Sequence, residues 1–341
     1  TKLGMFRFVV DDVIHTDYRV VKVDKADHSG AGEGDASGTE TGRLSSKYLQ
    51  GLKKDPAFRS LFVAPEGWIF VEGDYSTLEP RILAYLAGIK EWFEWFERKL
   101  DLYCGMANRM YNLGVNLEGD DAQVSALLKA CIDHDERQVM KRCFLAQMYM
   151  QGVHSLAEAA NIPVEKAQEF SDYFHKAFPQ LKKMQAKLWN AMIDGKPITT
   201  PFGRQAYAHL PHPSDPDFDK KMADLHRHFW NLPTQGTGSD IGIWLGWEFM
   251  RELQAMGKWG GPKCGNPNSW GGVCNLVHDA WWSLVRVEHF KSYVLLKAKF
   301  MQDRSRLPFQ LPAPLDIEVK AGRVLSDLKE VKNLQDPCIP V

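Results

Sequence analysis

The stretch Trp68–Ala87 restricts the fold more than any other part of the chain. Trp68-Ile-Phe-Val is a short apolar run with the character of a buried strand. Gly73 is expected to break that run, leaving Asp74 where such a strand would end. From Leu78 the period turns helical, with Leu78, Ile82, Leu83 and Leu86 on one face. A lone carboxylate at the end of an apolar strand is expensive unless something cationic meets it. The bland alternative is an Asp that caps the following helix.

A second pattern carries positive charge. Arg137, Lys141, Leu145 and Tyr149 recur at every fourth residue, so on a helix they form one slowly drifting stripe. Two fixed cations followed by an aromatic suit a triphosphate with a base beyond it. Arg forks onto phosphate oxygens, Lys supplies a point charge and a proton, and Tyr offers a ring and a hydroxyl. A basic helix face in water is the alternative, and Leu145 and Tyr149 on the same stripe argue against it. Arg227, Asn231 and Gln235 share the same spacing of four and fall on one helical face. Taken alone, that is also what a polar exposed face looks like. His278-Asp279 follows Asn275-Leu-Val, and a lone His-Asp pair is weak evidence for a site.

The totals add limits. At 341 residues the chain has room for two domains, or for one with an inserted lobe. Hydrophobic residues make up 44% and charged residues 25%, enough for a sizeable core. No apolar run approaches the ~20 residues of a membrane span, and no signal peptide is visible in a chain that begins at Thr1. Net charge is −1, so any nucleic-acid contact must use local clusters such as Lys182-Lys183 with Lys187, or Arg137 with Lys141 and Arg142. None of the six cysteines forms a Cys-x-x-Cys pair, and Cys264 and Cys274 are expected as unpaired thiols, pointing to a cytoplasmic setting.

Residues 1–24 read as strand-like segments, Asp27–Gly38 as a flexible loop, and 89–212 as mainly helical. Within that block Asn161 is expected to cap a helix restarting at Ile162-Pro163, and Phe202-Gly203 to turn a hairpin. A glycine-rich insertion spans Gly257–Gly272, and Pro314–Gly322 contains a closing strand.

These features resemble, in order, the motifs of family A DNA polymerases, the bacterial DNA polymerase I type. Asp74-Tyr-Ser-Thr-Leu-Glu-Pro-Arg-Ile82 is similar to the family's Asp-Tyr-Ser-x-x-Glu-x-Arg-Ile, and Thr41-Gly-Arg-Leu-Ser-Ser46 to a motif upstream of it. The Arg137–Tyr149 stripe looks like the family's fingers helix. Arg227–Asp240 resembles its Arg-x-x-x-Asn-x-Pro-x-Gln-Gly-Thr-x-x-Asp helix, and Val277-His-Asp279 its Val-His-Asp-Glu hairpin.

The resemblance implies an α/β (α+β) fold: a palm with an antiparallel catalytic sheet over 1–88 and 213–341, and a mainly helical fingers lobe over 89–212. It implies a template-directed DNA polymerase that works by two-metal phosphoryl transfer. Asp74 and Asp279, with the Tyr75 carbonyl, would hold two Mg²⁺ ions, and Lys141 would join them as a catalytic residue. Arg137, Lys141, Leu145, Tyr149, Glu79 and Tyr75 would meet the incoming nucleotide, Glu79 excluding a 2′-hydroxyl. Arg43, Arg227, Asn231, Gln235 and His278 would lie along the primer–template.

Three positions depart from the family pattern. Leu145 stands where the family has an aromatic, Met150 where it has Gly after the Tyr, and Ala280 where it has a Glu beside the second Asp. Too few residues precede Thr41 for the family's thumb or its 3′–5′ exonuclease. A truncated form, or one half of a split and perhaps viral polymerase with those parts on another chain, is the expectation. A non-catalytic nucleic-acid-binding relative is the alternative from another class.

Overall fold

The computed structural model describes residues 9–10, 13–14, 18–19, 44–46, 52 and 55–340. The expected loop Asp27–Gly38 and Arg43 lie outside them. Two compact units divide the chain. One comprises Thr1–Leu78, Gln235–Gln310 and Leu315–Val341, and the other Glu79–Thr234 with Leu311–Pro314.

The first unit is built on a five-stranded sheet. Its order is Lys329–Glu330, Ile317–Gly322, Trp68–Tyr75, Ala280–Arg286, Gly271–Val277. Every pairing is antiparallel. Trp68–Tyr75 is therefore the central strand, hydrogen-bonded on both sides. Gly73 lies inside this strand and does not end it. The reason is a close approach: a Cβ at position 73 would stand 2.8 Å from both Lys297 Cε and Met301 Sδ. Ile69, Val71 and Tyr75 are buried, and Phe70, Glu72 and Asp74 between them are half-buried. This is the period of two that sorts a strand's side chains onto opposite faces. Asp74 is thus part of the strand and not a cap, since the next helix starts at Leu78.

The helix Phe290–Gln302 packs under this sheet. So does the part of the helix Phe218–Ala255 that begins at Gln235. Trp281 is fully buried between them, stacked on Phe249 at 5.9 Å between ring centroids. Gly246 lies beside that indole, and a Cβ there would meet it at ordinary contact distance, 3.4 Å. Burial of such aromatic area dominates the stability of a core of this kind.

In the second unit, helices enclose a cluster of rings. Trp92 lies 5.0 Å from Phe144 and 4.9 Å from Phe178, and Phe174 lies 5.5 Å from Phe144. The hairpin expected at Phe202-Gly203 is present as Ile198–Thr199 against Gln205–Ala206, with Gly203 at φ +83°. One local expectation fails. Asn161 ends the helix Val153–Ala160 in the left-handed conformation, φ 55°, and Pro163 opens the helix Val164–Ala177. Asn serves as an N-cap through its side-chain oxygen and as a C-cap through its tolerance of the left-handed region, so the sequence alone left this open.

No described helix is long and apolar enough to cross a membrane. All six cysteines are free thiols, Cys264 and Cys274 among them.

Thr77, just beyond the central strand, has φ +52°. A β-branched residue in the left-handed region is strained, by roughly 1–3 kcal/mol. Thr77→Asn is therefore expected to raise stability by about 1 kcal/mol in urea denaturation. A lower midpoint would show that contacts of the threonine side chain outweigh the strain.

Candidate functional site

Asp74 and Asp279 meet through the sheet register. Val277 pairs with Ala280, so His278 and Asp279 form the loop of a tight hairpin, with His278 at φ +58°. The return strand of that hairpin runs beside the central strand, Trp281 opposite Gly73. Asp74 follows Gly73 and Asp279 precedes the return strand, so both acids come to one end of the same strand pair. On its other side Asp74 lies directly across from Glu318. Burial, then the Asp279 carboxylate, then Glu72 and Glu318 push the Asp74 carboxyl up to about 7, against a smaller opposing pull from Lys320.

A carboxyl held that high by burial first and by acidic neighbours second marks a place where a cation relieves the cost of ionisation. Carboxylate and carbonyl oxygens are the hard donors that Mg²⁺ prefers. Among the described residues no group of three or more His, Cys, Asp or Glu is placed to hold a metal. The crowded Asp74 and Asp279 carboxylates are hard oxygen donors at one strand end, chemistry that fits a divalent cation.

The Tyr75 ring is core. It is buried, edge-on to Trp281 at 6.3 Å, and its hydroxyl has no hydrogen-bond partner among the described residues. That leaves only its backbone for the roles expected of it. Ala280 is buried in an apolar cluster with Leu52, Trp282 and Leu325. A Glu at that position would have to leave the cluster or be desolvated in it.

In the second unit, the helix His134–Met148 opens with a complete capping box, Asp133 and Glu136 each bonding the other's amide. Arg137, Lys141 and Leu145 lie half-buried along one face, and Tyr149 caps its end. Phe144 points elsewhere. It is fully buried against Trp92, Tyr103 and Phe174, so Leu145 and not Phe144 shares the face of the two cations.

Asp101 holds Arg137, its Oδ2 accepting from Nε at 2.9 Å and from Nη2 at 2.5 Å. Its Oδ1 accepts the Cys104 amide at 2.9 Å. Burial alone would raise the Asp101 carboxyl, but the Arg137 and Cys104 hydrogen bonds outweigh it and hold it below the usual range. Among the described residues Arg137 Nη1 makes no hydrogen bond, both bonds to Asp101 using Nε and Nη2. Lys141 has no carboxylate partner among the described residues, and its ammonium lies 5.9 Å from the centre of the Tyr103 ring. The Tyr149 hydroxyl donates to the Glu79 carboxylate, so two residues singled out separately in the sequence form one unit.

The remaining expected residues are more dispersed. Arg227 and Asn231 precede Gln235 on one unbroken helix, with Pro233 inside it. Arg227 is exposed and ion-paired with Asp224, one turn earlier. His278 is exposed in its hairpin loop.

Sequence reasoning missed Asp101, whose only signal was its position ahead of an apolar helical run. It also missed Arg81, buried with Nη1 on the Pro314 carbonyl at 2.5 Å and its guanidinium 4.3 Å over Phe96. Lys297, fully buried, was missed as well. Its signal was a single lysine among Tyr293, Val294, Ala298 and Met301 on a helix.

Residues 5–327 match the sequence model of DNA polymerase family A. The thermostable DNA polymerase I of Thermus aquaticus is 29% identical over 305 residues, covering 86% of this chain and 32% of that protein. Its counterpart from Thermus thermophilus is 30% identical over 216 residues, 60% of this chain and 23% of that one. The chain thus spans a third or less of these curated relatives. A solved structure of the POL domain of Pol1 from M. smegmatis, in complex with DNA primer-template and dNTP, superposes with a TM-score of 0.71 at 22% identity. It covers 95% of this chain and 50% of that one, and shows that the fold is shared.

Proposed function

The chain belongs to DNA polymerase family A, and from that premise we propose that it adds deoxynucleotides to a primer 3′ end under the direction of a template. The observation that carries the proposal is the Asp74–Asp279 pair, with the Asp74 carboxyl held at about 7 by burial and by its acidic neighbours. Asp74, Asp279 and the Tyr75 carbonyl are the proposed ligands of two Mg²⁺ ions. Bound Mg²⁺ supplies Lewis-acid charge that favours the primer alkoxide and the departing pyrophosphate.

Arg137, through the Nη1 edge that its Asp101 bonds do not use, and Lys141 bind the triphosphate oxygens, and Lys141 donates a proton to the leaving group. Tyr149 holds Glu79 by its hydrogen bond, and Glu79 excludes a ribose 2′-hydroxyl. Arg43, Arg227, Asn231, Gln235 and His278 are proposed to touch the primer–template. Palm over 1–88 and 213–341, fingers over 89–212, and a thumb from outside these residues are parts of the same proposal.

The test at the centre itself is a Mg²⁺ titration at pH 7 by calorimetry in buffers of different ionisation enthalpy. Native Asp74 holds its proton up to about 7. Cation binding at pH 7 should therefore release about half a proton per chain. The release should fall away by pH 9, where Asp74 is already ionised, and should be missing in Asp74→Asn. Unchanged release in that variant would contradict the assignment.

Leu145 gives a further expectation. In this family a Tyr hydroxyl at that place substitutes for the absent 3′-hydroxyl of a dideoxynucleotide, and Leu has none. The chain should discriminate against dideoxynucleotides, and Leu145→Tyr should relax this if its pocket admits a ring. Phe144→Tyr should instead bury a hydroxyl in the ring cluster and cost stability, with dideoxy use unchanged. Relaxation only in the Phe144 variant would place the nucleotide on the other helix face.

A further inference from the structure

Lys297 is fully buried on the helix Phe290–Gln302, under the sheet and outside every role assigned above. Its Nζ donates to the Val71 carbonyl at 3.0 Å, the Trp281 carbonyl at 2.7 Å and Ser283 Oγ at 3.1 Å. An ammonium has three protons, and here each has an acceptor. Among the described residues no carboxylate forms an ion pair with it. Its surroundings, with Val71, Trp281, Tyr293 and Met301 buried nearby, would suit Met or Leu. Burial draws the amine down to about 7, against weaker upward pulls from Cys274 and Glu72. An unpaired buried cation detracts from stability, so its presence asks for a return other than folding.

The position of the acceptors supplies one. Val71 is on the strand that ends at Asp74, and Trp281 and Ser283 are on the strand that begins beyond Asp279. In the register Val71 pairs with Ser283 and Gly73 with Trp281, so the ammonium sits beneath two alternate rungs joining those strands, either side of the Glu72–Trp282 pair. Gly73 is the residue whose missing Cβ admits the lysine stem, and Asp74 is next in the chain.

We propose that Lys297 is a positioning residue for the carboxylate centre: it ties the two acid-bearing strands together from below, so that Asp74 and Asp279 present their oxygens to one cation site. This rests on the reading of Asp74 and Asp279 as cation ligands. Lys297 itself touches neither the cation nor the substrate. It acts by fixing the lateral position of two strands whose ends carry the ligands, and a preorganised donor pair binds more tightly than one that must be assembled.

The experiment measures the Mg²⁺ dissociation constant of the whole chain by calorimetry, together with its thermal midpoint, for wild type, Asp74→Asn, Lys297→Met and Ser283→Ala. Lys297→Met keeps the stem and removes the charge. It should leave the midpoint unchanged or higher while weakening Mg²⁺ binding about tenfold. Ser283→Ala removes one acceptor and should weaken binding two- to threefold, giving a reading if the Met variant does not fold. In primer extension, Lys297→Met should lower kcat with KM for the nucleotide unchanged. A structural role alone would lower the midpoint and leave the Mg²⁺ constant of the folded chain at the wild-type value. That result, or no change in either Lys297→Met or Ser283→Ala, overturns the proposal. If Asp74→Asn leaves Mg²⁺ binding intact, the reading of the carboxylate centre fails. If Asp74→Asn weakens it and Lys297→Met does not, the role of Lys297 alone fails.

Discussion

Asn at Asp74 or at Asp279 is expected to lower single-nucleotide incorporation at least about a thousandfold, with affinity for primer–template within a few-fold of wild type. Asn keeps the size of Asp and removes the charge, so what it loses is stabilisation of the transition state. Stability separates this loss from simple unfolding. Native Asp74 binds its proton more tightly than an unfolded Asp does, because of burial and because Asp279, Glu72 and Glu318 surround it. Between the ordinary carboxyl range and about 7 the folded state therefore holds more protons than the unfolded state, and metal-free stability falls as pH rises. Asp74→Asn cannot ionise and should be more stable than wild type above that window. A dead enzyme with a more stable fold is the expected signature, one that strained functional sites share. Near-wild-type turnover in either variant, or loss of activity that follows loss of folding, would remove these residues from the centre.

Sugar selection should show the next largest effect. Glu79→Ala is expected to raise ribonucleotide use relative to deoxyribonucleotide use about a hundredfold or more, the scale on which a site rejects an added hydroxyl. The bond from Tyr149 to Glu79 adds a second arm. Tyr149→Phe keeps the ring and removes this one bond to the carboxylate, so it should relax the same selectivity by a smaller factor. The measurement is the ratio of kcat/KM for the two sugars on one template. An unchanged ratio in Glu79→Ala would mean that another side chain forms the gate.

Much of the sheet was legible in the residues. Trp68–Val71 read as a strand, and the apolar run after His278-Asp279 became the return strand of the hairpin. The stripe from Arg137 to Tyr149 was readable because a helix converts a spacing of four into a face, and its register survives in the burial of Phe144 beside half-buried Leu145. Gly73 shows where this reasoning stops. Locally a glycine signals a break, but here it continues a strand because Lys297 and Met301, more than two hundred residues later, occupy the space of its Cβ. Asp101, Arg81 and Lys297 were hidden for the same reason. Their partners are Arg137, the Pro314 carbonyl and the Val71 carbonyl, and no local pattern encodes contacts so distant in sequence.

The central claim is templated nucleotidyl transfer, and the most direct measurement follows both products of a single addition. The chain is incubated with Mg²⁺, a primer–template whose next template base is dC, and each deoxynucleoside triphosphate in turn. Primer length and released pyrophosphate are quantified together. The account predicts that only dGTP extends the primer efficiently, by one residue, with one pyrophosphate released per residue added. A chain that binds the duplex but neither lengthens the primer nor releases pyrophosphate would contradict it, and would be a nucleic-acid-binding relative that keeps the fold without the chemistry.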